Sequence, residues 1–241
     1  MTVGLIQVKS ISSSQFENEF IKLKTKEGNI MRLKSLVVAM AAVASLAPIA
    51  SQAQSSSENP WMIRVRAVDV LFQNGQTQTV QALNVKAENK VIPEFDVSYF
   101  FTKNIAAELV LTYPQQVNVT YGSNNANAGK ITALPPSLVA QYHFTDLGAF
   151  KPYVGVGVNY TIFGNRSNFP ALGNSVQVDQ NSIGLVGQVG MDYMFDKNWG
   201  LNVDVKYVQM STNVTTVAGG TNLGKLTLNP WTPGVGVTYK F

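Results

Sequence analysis

The sequence predicts an all-β fold: an eight-stranded antiparallel transmembrane β-barrel. Three observations lead there. Charged residues make up only 13% of the 241-residue chain, against roughly 25% in soluble domains. Apolar and polar residues alternate with period two in eight separate stretches of residues 54–241, the pattern of strands with one face in lipid. The connections between those stretches are alternately short and long, as in a bacterial outer-membrane barrel.

Composition excludes several other classes. The longest weakly polar run, Ser35 to Ala50, has 16 residues and contains Pro48, short of the ~20 needed for a membrane-spanning helix. The absence of cysteine excludes disulfide scaffolds, cysteine nucleophiles and cysteine-ligated metals. His143 is the single histidine, so no histidine cluster exists for zinc, and neither a metal nor a cofactor is expected. The formal charge of +4 does not point to nucleic acid. Residues 1–53 hold six of the 18 basic and three of the 14 acidic residues, which leaves a formal +1 and no basic stripe in the rest.

The first fifty residues read as processing rather than fold. Met31-Arg32-Leu33-Lys34, the apolar run from Ser35 to Ala44, and Ser51-Gln52-Ala53 give the basic, apolar and cleavage regions of a signal peptide. Residues 31–53 are therefore expected to be removed, with Gln54 as the new N-terminus. Residues 1–30 fit no secretory pattern, and translation is expected to start at Met31. Residues 54–241 form the barrel.

Each strand then follows in order. The first, 60–72, sets Trp61, Ile63, Val65 and Ala67 opposite Arg64 and Arg66. The second, 91–101, turns Val91, Pro93, Phe95, Val97, Tyr99 and Phe101 outward, against Glu94, Asp96 and Ser98. The third, 104–113, alternates Ile105, Ala107, Leu109, Leu111 and Tyr113 with Glu108, Val110 and Thr112. The fourth, 136–145, sets Leu138, Ala140, Tyr142 and Phe144 against Ser137, Gln141 and His143. The fifth, 151–163, has Val154, Val156, Val158 and Tyr160 across from Gly155, Gly157 and Asn159. In the sixth, 182–195, Ile183, Leu185, Val189, Met191, Tyr193 and Phe195 oppose Gln188, Gly190 and Asp192. The seventh, 199–211, points Trp199, Leu201, Val203, Val205 and Tyr207 away from Asn202, Asp204 and Lys206. The eighth, 226–241, ends with Trp231, Val235, Val237, Tyr239 and Phe241 on one face, and Gly234, Gly236, Thr238 and Lys240 on the other.

The short connections are Thr102-Lys103-Asn104, Asp146 to Phe150, and Asp196-Lys197-Asn198. The long ones are rich in Asn, Gly, Ser and Thr and read as outer loops. Short turns belong in the periplasm, so both termini fall there. Aromatics cluster at the turn ends, where an interfacial girdle belongs: Trp61, Phe101, Phe144, Phe150, Phe195, Trp199, Tyr239 and Phe241. A soluble lipocalin-like barrel would instead turn its apolar face inward.

Eight strands enclose a lumen just wide enough for side chains. Its inward charges are Arg64, Arg66, Glu94, Asp96, Glu108, His143, Asp192, Asp204, Lys206 and Lys240. Such groups are costly in a membrane unless paired, so a salt-bridge network filling the periplasmic half is expected. The sharper alternative is a polar floor that ends a ligand path. Val110, Val139, Val186, Met194 and Val208 are inward and apolar, and either pack the lumen or line a pocket open to the outside. Pro114 closes the third strand and Pro135-Pro136 opens the fourth. Proline cannot donate to a ladder, so the sheet should split or bend there, either as a plain loop boundary or as a sideways exit to lipid.

No enzyme is expected. Ser137 and His143 are six residues apart on one strand, about 20 Å at ~3.3 Å per residue, too far for a dyad. Gly155-Val156-Gly157 lies within a strand and is no nucleotide loop. The four Asn-x-Ser/Thr sequons, at Asn118, Asn159, Asn165 and Asn213, are chance matches in a bacterial-type barrel.

Several segments together resemble the OmpW family of outer-membrane proteins. They are Thr132 to Tyr142, Lys151 to Tyr160, Gly187 to Tyr193, Lys197-Asn198-Trp199 and Leu228-Asn229-Pro230-Trp231. Tyr239-Lys240-Phe241 looks like the aromatic C-terminal signal read by the barrel-assembly machinery. The resemblance implies a narrow, mainly hydrophobic channel, blocked at its periplasmic end, that passes small apolar molecules sideways into the membrane. Val110 matches a position where the family places an apolar lumen residue. Lys206 departs from the pattern, because the corresponding place can be a bulky aromatic in the family. The partners expected are outer-membrane lipid, small hydrophobic solutes and, during biogenesis, the assembly machinery. A narrow ion-conducting pore and a structural or adhesive barrel with receptor-like loops are the alternatives.

Overall fold

The computed structural model describes residues 59–241, so the expected start at Met31 and cleavage after Ala53 lie outside the described residues. The chain begins with β1 (Trp61–Val70), β2 (Gly75–Gln76), the short helix α1 (Gln78–Ala82) and β3 (Lys86–Ala87). Next come β4 (Lys90–Phe100), β5 (Ile105–Thr112), β6 (Gln115–Tyr121), β7 (Ala126–Leu134) and β8 (Ser137–His143). Then follow β9 (Phe150–Gly164), β10 (Val176–Val178), β11 (Asn181–Met194) and β12 (Trp199–Val208). Finally β13 (Ser211–Thr216), β14 (Asn222–Thr227) and β15 (Trp231–Lys240) complete the chain.

Eight of these strands close a ring in the order β1, β4, β5, β8, β9, β11, β12, β15, with β15 pairing back to β1. All neighbours are antiparallel. Closure leaves no edge, which is what lets a sheet sit in hydrocarbon. The alternation works as the sequence implies. In β1, Met62, Arg64, Arg66 and Val68 are buried while Val65 is 55% exposed to the surroundings. In β8, Ser137, Val139, Gln141 and His143 are buried while Leu138 and Tyr142 face out.

At the turn end the outward rings pack edge to face. Trp61, Tyr99 and Phe101 form one chain and Trp199, Tyr239 and Phe241 another, with centroids 4.7–5.2 Å apart. Phe150, Tyr193 and Phe195 form a third. The loop end has a thinner belt, where Tyr207 and Trp231 meet at 5.0 Å.

Two expectations need correction. The eighth strand does not start at 226: Asn222–Thr227 is a separate strand, and β15 begins at Trp231. Asn229 has a positive φ of 31° and Pro230 has no amide hydrogen, so the ladder cannot run through them. The long connections are also not plain loops. They carry β3, β6 and β7, which extend the barrel sheet, and a second sheet in the order β10, β13, β14, β2. Val80, Val119, Ala128, Ile131, Phe169, Val178 and Leu226 are buried among these outer pieces. Their apolar cluster is continuous with Val110, Val139, Val186 and Val208 in the barrel. β9 and β11, with 15 and 14 residues, exceed the ~9–11 of a tilted membrane strand, so their loop-end parts form one body with the outer sheets.

Candidate functional site

The lumen is filled at mid-height by a charged plug. β1 presents Arg64 and Arg66 inward because its other face carries Trp61, Ile63 and Val65. Arg64 grips both oxygens of Asp192, Nε to Oδ1 at 3.1 Å and Nη2 to Oδ2 at 2.7 Å. Its Nη1 pairs with Glu108 and donates to Ser98 Oγ at 3.3 Å. Arg66 lies 3.1 Å from Glu94, 2.5 Å from Asp96 and 3.2 Å from Asp204. Lys206 Nζ donates to Glu94 Oε1 and to Asp204 Oδ1, both at 2.7 Å.

Neutral groups bind these charges together. Gln188 Nε2 donates to Glu108 Oε1 and Asp204 Oδ2, each at 2.9 Å, and Gln188 accepts from Gln141 at 2.9 Å. His143 Nε2 lies 2.9 Å from the Gln141 side-chain oxygen, and its ring stacks on Tyr153 at 4.9 Å. None of the eight charged residues Arg64, Arg66, Glu94, Asp96, Glu108, Asp192, Asp204 and Lys206 is more than 5% exposed. Ions taken from water at this depth are tolerated only with partners, and each of these has one.

Charge and polarity in the sequence do not single out Tyr153, yet it sits at the centre of the plug. Its hydroxyl donates to Asp204 Oδ2 at 2.9 Å and accepts from Arg66 Nη1 and Asn202 Nδ2, at 3.3 and 3.1 Å. Its ring lies 4.7 Å below the Arg64 guanidinium carbon. The available signal was its place on the same face as Gly155 and Gly157, where only a close-packed lumen asks for such small residues.

Above the plug is a narrow apolar cavity of about 60 Å³. Val68, Ile92, Val110, Val117, Val208 and Met210 line it, with Lys206 and Glu94 among the residues at its floor. Its wall includes a break in the sheet. The β5–β8 ladder ends at Val110↔Ser137, and pairing of the same hairpin resumes as β6–β7 at Gln115↔Ala133. Between these pairs, residues 111–114 face 134–136 without ladder partners across the hairpin. Pro114, Pro135 and Pro136 all fall in this gap. The carbonyls of Pro135 and Pro136 turn to the other side and accept from Asn159 Nδ2, both at 3.1 Å. Thr112, Gln115, Ala133, Pro135 and Ser137 line both the gap and the cavity.

Below the plug a wider cavity of about 430 Å³ opens at the turn end, lined by Met62, Phe100, His143, Lys151, Met194 and Lys240 among others. The expected lumen residues therefore separate. Val110, Val208 and Lys206 line the upper cavity. Val139 and Val186 are buried in the apolar cluster beside it. Met194 needs correction: it lies below the plug, on the wrong side for an upper ligand path. Lys240 is also at the lower mouth, its Nζ 5.6 Å from the Phe100 ring centre. Tyr239 and Phe241 close the aromatic belt there.

A closed eight-stranded ring with this plug and these outer sheets invites comparison with known barrels. The model of the OmpW family matches residues 59–241. The chain belongs to the OmpW family. It is 43% identical over 198 residues to an uncharacterized outer-membrane protein of Sinorhizobium fredii, covering 80% of this chain and 84% of that one. It is 29% identical over 215 residues to outer membrane protein W of Escherichia coli, covering 87% of this chain and all of that one. The crystal structure of OprG from Pseudomonas aeruginosa superposes with a TM-score of 0.64 at 27% identity, covering 75% and 95% of the two chains. This OmpW-family chain is thus an outer-membrane β-barrel. Its short turns face the periplasm and its outer sheets the cell exterior, so the upper cavity is on the extracellular side of the plug.

Proposed function

We propose that this OmpW-family barrel is a passive, non-enzymatic route for small hydrophobic molecules. They enter the upper lumen from outside and leave sideways into the outer membrane. The observation that carries this reading is the upper cavity itself: apolar on its walls, floored by buried ion pairs, and reaching a hairpin gap where three prolines withhold ladder hydrogen bonds. Backbone left unpaired at membrane depth is tolerated where it lines a cavity, and here it separates lumen from lipid by a single layer. The family resemblance carried by residues 132–142 and 151–160 implies the same route.

The test is uptake of a small labelled hydrocarbon by cells with and without the protein, and with Val110→Arg. Val110 is 2% exposed on the cavity wall, so an arginine there fills the slot. Faster uptake that the substitution abolishes supports the route. Equal uptake by all three, with the barrel folded and exported, overturns it in favour of a structural or adhesive role.

A further inference from the structure

The upper cavity is apolar on its walls, but its floor carries polar atoms with unused hydrogen-bonding capacity. Thr112 Oγ1 is buried and has no hydrogen-bond partner. Its cross-strand neighbour is Glu94. Glu94 accepts from Lys206 Nζ and meets Arg66 Nε through the same oxygen, Oε1, which leaves Oε2 without a partner among the described residues. The Lys206 ammonium has three hydrogens and gives two, to Glu94 and Asp204. Thr112, Glu94 and Lys206 all line the one cavity. An unsatisfied buried hydroxyl is unfavourable, so a guest that supplies its partner gains over one that does not.

We propose that this floor is a head-group subsite, and that the preferred solutes are slender straight-chain primary alcohols rather than bare alkanes. This rests on the uptake route proposed above. A hydroxyl both accepts and donates: it can take a hydrogen from Lys206 or Thr112 and give its own to the free oxygen of Glu94. A carboxylate head fits less well. The plug beneath holds five acidic side chains against three basic ones, a formal excess of two negative charges. An ammonium head would meet Lys206. The cavity is small, about 60 Å³, which favours a slender alkyl chain over a bulky ring or branch.

The experiment compares labelled 1-octanol and n-octane uptake, corrected for cells lacking the protein, in wild type, Thr112→Val, Thr112→Ser and Val110→Arg. The 1-octanol to n-octane ratio should fall at least threefold in Thr112→Val and be kept in Thr112→Ser. An equal ratio in all three Thr112 proteins, with Val110→Arg blocking both solutes, overturns the head-group subsite and leaves the route intact. Uptake of neither solute by any variant overturns the route. The subsite is then decided by the Met210 methyl resonance of the folded protein in lipid nanodiscs, since Met210 lines the same cavity. A saturable shift with 1-octanol, at least threefold weaker in Thr112→Val, supports it; a shift equal in both proteins, or none, overturns it.

Discussion

A Cβ on Gly190 would stand 2.4 Å from the hydroxyl oxygen of Tyr153. The glycine on β11 is the space into which the β9 tyrosine extends, and that tyrosine ties Arg66, Asn202 and Asp204 together. Gly190→Ala should therefore displace the ring and lower stability by ~1–3 kcal/mol, the usual penalty of overpacking. Tyr153→Ala removes the clash, so the double variant should lose less than the two single effects combined. Urea unfolding of the refolded barrel, followed by tryptophan fluorescence, reads both. Additive losses would mean that the two positions do not share one space.

Arg64 holds Asp192 with two hydrogen bonds and Glu108 with its third nitrogen. Arg64→Ala leaves Asp192 buried without a cation and Glu108 with only the longer contact to Arg66, at 3.6 Å. Breaking one side of a buried pair costs about 3–5 kcal/mol, so the unfolding midpoint should fall sharply. Arg64→Ala together with Glu108→Gln and Asp192→Asn should recover part of that loss. A single variant as stable as wild type would show that water already reaches the pair.

The buried ion pairs of the plug separate the upper cavity from the lower one. Wild-type protein in a planar lipid bilayer should show no unitary conductance steps. Arg66→Ala removes the side chain that faces Glu94, Asp96 and Asp204, and should give small cation-selective steps. Steps from the wild type itself would favour a narrow ion-conducting pore.

Pro114, Pro135 and Pro136 keep the hairpin ladder open between Val110↔Ser137 and Gln115↔Ala133. Replacing all three with alanine restores the missing donors, and the two ladders should extend toward each other. Hydrocarbon uptake should then drop severalfold while the barrel stays folded. Unchanged uptake with closed ladders, read from amide hydrogen exchange, would place the exit elsewhere.

One periplasmic turn is held by charge. The Asp196 carboxylate accepts from the backbone N–H of Trp199 at 2.7 Å and of Asn198 at 2.8 Å. Those bonds, the Trp199 one first, hold its pKa below the ordinary 3.8. The folded pKa is the lower one, so the turn's added stability is present above the ordinary value. It is lost as pH falls through the depressed folded value. The amide resonances of Asn198 and Trp199 should shift with a midpoint below 3.8, and the transition should vanish in Asp196→Ala. A midpoint at or above the ordinary value would mean that the bonds do not persist in solution.

The strands of the barrel could be read from the sequence because a lipid face and a lumen face impose opposite chemistries on successive residues. Trp61 to Arg66 or Leu201 to Lys206 allow one assignment only. The outer strands were hidden for the same reason in reverse. In β6, Val117 and Val119 are buried, but Gln116, Asn118 and Thr120 between them have the composition of a loop. In β7 the register shifts opposite Val119 and Thr120, which breaks the period. Height along the barrel was hidden as well. Parity told that Met194 and Val208 both point inward. Which lies above the plug and which below depends on how far each strand is displaced from its neighbour, and single-strand patterns carry no such information. Tyr153 is hard to read from sequence because an aromatic near a turn looks like part of the girdle.

Both arginines of the plug belong to β1, while the acids that hold them belong to β4, β5, β11 and β12. Glu94, Asp96 and Glu108 come with the next two strands of the ring, but Asp192 and Asp204 arrive only with β11 and β12. A half-curled sheet leaves the Arg64–Asp192 and Arg66–Asp204 pairs unmade, and a charge short of partners is penalised in hydrocarbon. Those last pairs form only when the ring closes and β11 and β12 face β1 across the lumen. The network is thus complete only in the finished cylinder, and every open ribbon that precedes it lacks some of these pairs.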